Sequence, residues 1–450
     1  MKLYNAFVYA VVACLPFVAT VPLEERGQPT LPTEDPFYTV PNNIKDYAPG
    51  QIIDSRRPPY PIASFGISPV NLAGSWQILY RTNDNFNNAT ATVLTVLIPH
   101  NADYTKVLSY QVAQDSAYAN CAPSYAFQLK SATGGLLGTI LSQAELLLMQ
   151  AALEQGWIVI SPDHEGPRAA YLANKLAGHA TLDGVRAALN SASFTGISQR
   201  PTISLWGYSG GAIASAAAVE LQPSYAPELR IAGAAIGGVV PNITTVIAGI
   251  NKQTVAGLIP AGVLGIASQY SEVARLLENE IRPEYKAVFG DAANQCVTAN
   301  ILQFAFQDVV GMFKDPTVLY RDQAKRILDE NALGQAIPQV PMYVYKSVRD
   351  EVSPVEETDA LVRKYCAGGA RIKYDRDLLS DHGSLALLGV GKSLVWLKEI
   401  MNGGPGPARC STTTLVSSLL DLKGIKLLSK ALLEAFLNLL GSPVGPPWLH

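Results

Sequence analysis

What the chain has little of limits its function before any motif is read. Only 16% of its 450 residues are charged, and the formal net charge is −3. No run of Lys or Arg interrupts that balance, so the electrostatic footprint of a nucleic-acid-binding protein is missing. Cysteine is scarce at five residues, and no two form a Cys-x-x-Cys pair, which argues against zinc ribbons and dithiol redox sites. Past the N-terminal region, no uncharged apolar run is long enough to span a bilayer. Repeats and low-complexity tracts are absent. Histidine is equally scarce, which leaves five candidates for a catalytic base.

What is present is a chain with 48% hydrophobic residues, long enough to bury a large core. Lys2, an apolar stretch from Ala6 to Ala19 and then Glu24-Glu25-Arg26 read as a secretory signal over residues 1–20, cut between Ala19 and Val21. Cys14 leaves with it. Cys121, Cys296, Cys366 and Cys410 remain, an even set that suggests two disulfides with three possible pairings. Asn88-Ala89-Thr90 and Asn242-Ile243-Thr244 are glycosylation sequons.

Residues 21–70 are Pro-rich and read as an irregular wrap. Strand-like runs follow at Trp76–Arg81, Ala91–Ile98 and Val107–Ala113. From Ile140, helical periodicity (Ile140–Gln155, Leu182–Ala192, Ala212–Ala218) alternates with mainly apolar, β-prone runs at 157–161, 202–206 and 231–236. That alternation predicts a parallel sheet covered by helices on both faces, completed by Met342–Ser347 and Arg371–Tyr374. Residues 242–336 show helical, not strand, patterning and read as a cap or lid inserted between core segments 21–241 and 337–410. In residues 411–450, the stretch Leu415–Leu440 has helical spacing. It reads as a helix docked on the core, with an interfacial helix as the alternative.

Chemistry concentrates at Leu205-Trp206-Gly207-Tyr208-Ser209-Gly210-Gly211. An apolar strand feeds Gly-x-Ser-x-Gly, and a small-residue helix follows, which is the context of a nucleophile elbow. A serine hydroxyl needs a base oriented by a third group, and in this arrangement the order is Ser, acid, His. Of the five histidines, His100, His164 and His179 precede Ser209; His450 ends the chain and His382 lies in a polar loop after a strand. His382 is therefore the expected base. Met342–Ser347 runs directly to Asp350, the expected acid, with Glu351 its nearest rival and Asp375 and Asp377 farther off.

The chain also resembles the fungal secretory lipases, the α/β-hydrolase branch of the Candida antarctica lipase A type. The resemblance rests on Asp35-Pro36-Phe37-Tyr38, Ala48-Pro49-Gly50, Tyr110-Gln111 with Asp115-Ser116, and Cys121-Ala122-Pro123-Ser124. It continues through Pro162-Asp163-His164-Glu165-Gly166-Pro167, the elbow itself, Tyr225-Ala226-Pro227-Glu228-Leu229 and Gly237-Gly238. It implies an α/β-hydrolase fold, a Ser209–His382–Asp350 triad, and an oxyanion hole made of Asp163 and the Gly210 amide. A carboxyl in that hole has to be protonated, because an ionised one accepts hydrogen bonds only. The resemblance also implies disulfides Cys121–Cys296 and Cys366–Cys410, a helical lid and a C-terminal flap. The longer, more apolar C-terminus departs from that pattern.

The expectation is a secreted, monomeric lipase acting on acylglycerols, at a lipid–water interface, with no cofactor or metal. A carboxylesterase for short or decorated esters is the alternative. A serine peptidase would need a peptide-binding domain, and a non-catalytic hydrolase fold would lack part of the triad.

Overall fold

A computed structural model describes residues 27–65, 68–131 and 138–421, together with 423, 424 and 426. Ten strands build one sheet: β1 (Ile52–Arg56), β2 (Gly74–Asn83), β3 (Ala89–Ile98), β4 (Asp103–Gln111), β5 (Trp157–Pro162), β6 (Thr202–Tyr208), β7 (Ile231–Gly237), β8 (Met342–Ser347), β9 (Ile372–Asp377) and β10 (Ser411–Leu415). Their spatial order is β1-β2-β3-β5-β4-β6-β7-β8-β9-β10. Pairing is antiparallel from β1 to β5 and parallel between every neighbouring pair from β5 to β10.

Parallel neighbours need crossover connections, and helices supply them. They include α1 (Ile140–Leu153), α2 (Asn174–Asn190) and α3 (Gly210–Tyr225). Between β7 and β8 come α4 (Ile243–Ile250), α5 (Leu258–Ala267), α6 (Ser271–Glu280), α7 (Val297–Phe304) and α8 (Asp322–Glu330). After β8 follow α9 (Val355–Ala367), α10 (His382–Leu388) and α11 (Val390–Met401). α2, α3 and α9 pack on one face of the sheet, α1 and α11 on the other. Central strands such as β5 and β8 are buried along their whole length, which is why they read as mostly apolar runs without alternation. The fold is an α/β-hydrolase.

Where sequence and structure differ, burial explains it. α2 begins at Asn174 and not at Leu182, because its first turns bury Asn174 and His179 and so lack an apolar stripe. A Cβ at Gly178 would sit 3.0 Å from the Ala217 backbone, so the small residues of α2 and α3 allow close approach. β1 lies inside the stretch expected to be irregular, and β10 opens the C-terminal segment expected to be helix and flap. Both are edge strands with few buried side chains, so neither carries an apolar signature. Residues 1–20, most of Leu415–Leu440 and His450 lie outside the described residues. Among the described residues, no helix is long and apolar enough to cross a membrane.

Disulfides join Cys121 to Cys296 and Cys366 to Cys410. The first ties the loop after β4 to the start of α7, and the second ties the end of α9 to the start of β10.

Candidate active site

Ser209 stands between β6 and α3 with φ 52° and ψ −120°, a backbone conformation rarely tolerated by a residue with a Cβ. Close approach maintains it. A Cβ at Gly207 would meet the Gly211 carbonyl oxygen at 2.2 Å, and one at Gly211 would meet the Gln111 carbonyl oxygen at 1.9 Å. The Ser209 amide is fixed to the Gly237 carbonyl at 2.9 Å. Gly210 is the first residue of α3, so its amide has no acceptor within the helix and points where negative charge is favoured.

His382 opens α10, the helix that follows β9. Asp381 and Ser384 form a capping box at its start. The His382 amide donates to Glu351 Oε2 at 2.8 Å, and its carbonyl accepts from the Tyr208 hydroxyl at 2.5 Å. The peptide is thus held at both ends, and the imidazole lies between two partners. Nδ1 is 2.7 Å from Asp350 Oδ2, and Nε2 is 2.9 Å from Ser209 Oγ. With Nδ1–H donating to the carboxylate, Nε2 is left to accept the serine proton.

The Asp350 side chain is fully buried, and its Oδ1 accepts the amides of Val352 (3.0 Å) and Ser353 (2.8 Å). Burial alone would raise its carboxyl, but His382 and then Lys346 outweigh burial and hold it well below the usual carboxylate range. The rival acids are engaged elsewhere. Glu351 takes the His382 amide, Asp375 pairs with Lys392, and Asp377 caps the amides of Leu379 and Ser380. His100, His164 and His179 bond to Asn71, the Val112 carbonyl and the Asp84 carbonyl respectively.

The side chain of Asp163 is engaged with Ser124 and not with the elbow. Its Oδ1 accepts the Ser124 amide (2.9 Å), its Oδ2 the Ser124 hydroxyl (2.5 Å), and its own amide donates to the Val93 carbonyl. Strand order is the reason. β4 lies between β5 and β6, so the loop after β4 packs directly against the Gly210–Gly211 turn, while residues 164–172 of the loop after β5 approach it from the other side. The loop after β4 carries Asp115, a buried residue with φ 48°. A Cβ at Gly210 would lie 1.8 Å from Asp115 Oδ1, an oxygen with no hydrogen-bond partner. Burial pushes the Asp115 carboxyl up to about 7, against the pull of His382. The sequence signal was Asp115-Ser116 directly after a strand, in a left-handed position that Asp tolerates better than most residues.

Asp163, His164 and Glu165 sit behind this loop. Burial raises Asp163 to about 7, lowers His164 to about 4, and raises Glu165 well above the usual range with Asp115 adding to the effect. Glu145, raised by burial to about 8, bonds the Tyr110 hydroxyl and the Ala113 amide. These raised acids take up protons on folding, so each stabilises the fold in acid and loses that contribution as pH climbs to its folded value. His164 and His179, both lowered to about 4, offset this only below about pH 6.5, the unfolded histidine value. The thermal midpoint is therefore expected to fall between about pH 6.5 and 8, and Asp163→Asn to flatten the fall. A midpoint constant or rising over that interval would contradict this reading.

Two cavities meet at Ser209. One, of about 180 Å³, includes Asp115, Ser209 and His382 and is otherwise walled by residues such as Leu148, Val255, Leu258 and Ile301. The other, of about 30 Å³, lies under α4 and α5 against Ile243, Val246, Ile247, Ile259 and Val263. Among the described residues, no group of three or more His, Cys, Asp or Glu could hold a metal ion.

Comparison with known proteins places the chain in a family. The secretory lipase family model matches residues 130–407. Lipase A of Arthroderma benhamiae is 48% identical over 424 residues, covering 94% of this chain and 90% of that protein. Lipase 4 of Candida albicans is 35% identical over 399 residues, 85% of this chain and 84% of the relative. The X-ray structure of Candida antarctica lipase A superposes with TM-score 0.77 at 28% identity, covering 93% of this chain and 98% of that one. A rice cell wall degrading esterase from Xanthomonas oryzae, at 14% identity and TM-score 0.58, shares the fold alone. The chain belongs to the secretory lipase family.

Proposed function

We propose that this lipase hydrolyses acylglycerol esters through Ser209, His382 and Asp350. The observation that carries the reading is the hydrogen-bonded series Asp350–His382–Ser209 opening on apolar cavities. Ser209 Oγ attacks the ester carbonyl as His382 Nε2 takes its proton. Asp350 holds the tautomer and stabilises the imidazolium. The tetrahedral oxyanion accepts from the Gly210 amide and from the carboxyl of Asp115, in place of Asp163, protonated below about pH 7. His382 then passes its proton to the alcohol oxygen, and the acyl-enzyme is cleared by water. The alcohol leaves on the side of His382, and the acyl chain lies along the apolar walls of the larger cavity. Residues 242–336 act as the cap over that chain.

An apolar rim supports action at a lipid–water interface. Leu141 lines the larger cavity, Leu302 follows its Ile301 and Leu379 precedes His382 by three residues, and all three are exposed. Family membership carries secretion. Asn88 is exposed, its Nδ2 donating to Asp84 Oδ2, and is the better placed for a glycan; Asn242 is half-buried and caps α4 with its Oδ1, its Nδ2 directed toward Glu357. The enzyme acts as a monomer.

Asp115→Leu is expected to lower turnover by roughly 10²–10³, the effect of one oxyanion donor. Asp115→Asn supplies a donor that cannot ionise, so it keeps more activity and flattens the alkaline limb of the pH profile. Near-normal turnover in Asp115→Leu would remove the carboxyl from the hole. Substrate class is tested by an acyl-chain series measured above and below solubility. Faster hydrolysis of emulsified long-chain acylglycerols is expected, and activity confined to short soluble esters would indicate a carboxylesterase.

A further inference from the structure

Lys346 is a buried cation that the reaction scheme above leaves unused. It lies on β8, four residues before Asp350, and both side chains are fully buried. An ammonium ion in that position is costly unless paired, and an apolar side chain of similar length would fill the space without the cost. Its Nζ donates to the Val239 carbonyl at 3.0 Å and lies 2.8 Å from Asp350 Oδ2. That same Oδ2 accepts from His382 Nδ1 at 2.7 Å. One carboxylate oxygen therefore serves the ammonium and the imidazole together, while the other oxygen takes two backbone amides.

We infer that Lys346 is a positioning residue of the triad: its charge fixes Asp350 and weakens the pull of that carboxylate on His382, so the imidazole stays neutral and usable in more acidic solution. The inference rests on the triad reading proposed above. With Lys346 charged, the resting array of ammonium, carboxylate and neutral imidazole has no net charge. Without it, the carboxylate acts alone on the ring and favours the imidazolium more strongly. Burial lowers the proton affinity of Lys346 while Asp350 sustains it, consistent with a charged pair.

Other groups face this array. Glu351 lies near Lys346 and bonds the His382 amide, and Asp115 faces His382. The Tyr208 hydroxyl bonds the His382 carbonyl, Asp381 caps its helix, and Tyr374 and Asp359 lie behind Asp350. Arg376, in register with Lys346 on β9, is a cation paired with Asp359; the others are acids or hydroxyls, whose ionisation would act on the imidazole in the sense opposite to Lys346. A unit charge two hydrogen bonds from the ring is worth about one to two pH units at the effective dielectric of such sites.

The test is the pH dependence of kcat/KM on a soluble p-nitrophenyl ester for the wild type, Lys346→Met, Lys346→Gln and Lys346→Arg. Active sites are counted by a phosphonate that labels Ser209. The acid limb is expected to move up by about one to two units in the Met and Gln variants, lowering activity at about pH 5 roughly ten- to hundredfold relative to each plateau. Arg keeps the charge and is expected to keep the limb. Gln removes the charge but leaves a donor, so it carries the test if Met disrupts the core. A merely structural role would lower the plateau without moving the limb, and Gln would then restore the wild-type profile. An acid limb superimposed on that of the wild type in either neutral variant overturns the proposal. Labelled Ser209 with an unmoved limb counts against Lys346 alone, whereas wild-type enzyme inhibited without label on Ser209 counts against the triad itself.

Discussion

Ser209→Ala is expected to lower ester hydrolysis by roughly 10⁶, to a residue of activity supplied by the oxyanion donors and substrate binding alone. The size follows from how the site is built. The strained turn at Ser209 (φ 52°) and the glycines around it serve to present one oxygen to His382 Nε2 at 2.9 Å. Removing that oxygen leaves the base with nothing to activate, and no other serine is held in that position. Alanine keeps the Cβ and the backbone bond to Gly237, so the fold and its unfolding transition are expected to be unchanged. The measurement is turnover beside a thermal melt. Retention of more than about one part in 10³ of the activity in a folded variant would show that another nucleophile carries the reaction.

Asp350→Asn is expected to lower turnover by about 10⁴ with little change in KM. The carboxylate accepts from His382 Nδ1, Lys346 and two amides, and it donates to none of them. An amide in its place offers one oxygen and one NH₂ group. If the oxygen faces the backbone amides, the NH₂ meets the ring and forces a proton onto Nε2, where it blocks the serine. The variant also leaves the Lys346 ammonium without its carboxylate, so some loss of thermal stability accompanies the loss of rate. Glu351→Gln changes a bond to the His382 backbone and not to its ring, so its effect is expected to be mild. A mild Asp350→Asn with a severe Glu351→Gln would reverse the assignment of the acid.

The elbow was legible because its chemistry is local: strand, turn and helix are contiguous, and the glycines belong to the same few residues. His382 was legible because few histidines exist and only one follows the nucleophile in a loop after a strand. Asp350 was legible as the first acid beyond the strand Met342–Ser347. Asp115 was not, because its role depends on which strand end abuts β6. The order β5-β4-β6 is set by long-range pairing, and nothing in the local pattern at Pro162-Asp163 reports that β4 intervenes. Lys346 was hidden for a related reason. A lysine near a strand end reads as solvated, and only packing shows it enclosed with Asp350. The core strands were read to within a few residues, while β1 and β10 were missed because polar edge strands bury too little to show an apolar pattern. His179 and Asn174 masked the start of α2 because its buried polar groups find partners, the Asp84 and Asn331 carbonyls, that lie far away in sequence.

The most direct test of the central claim is to inactivate the full-length enzyme with a fluorophosphonate and locate the adduct by peptide mass spectrometry. Stoichiometric modification of Ser209 is expected, lost in Ser209→Ala and slowed severely in His382→Ala. An adduct on a different serine, with Ser209 unmodified in the inactivated protein, would contradict the assignment.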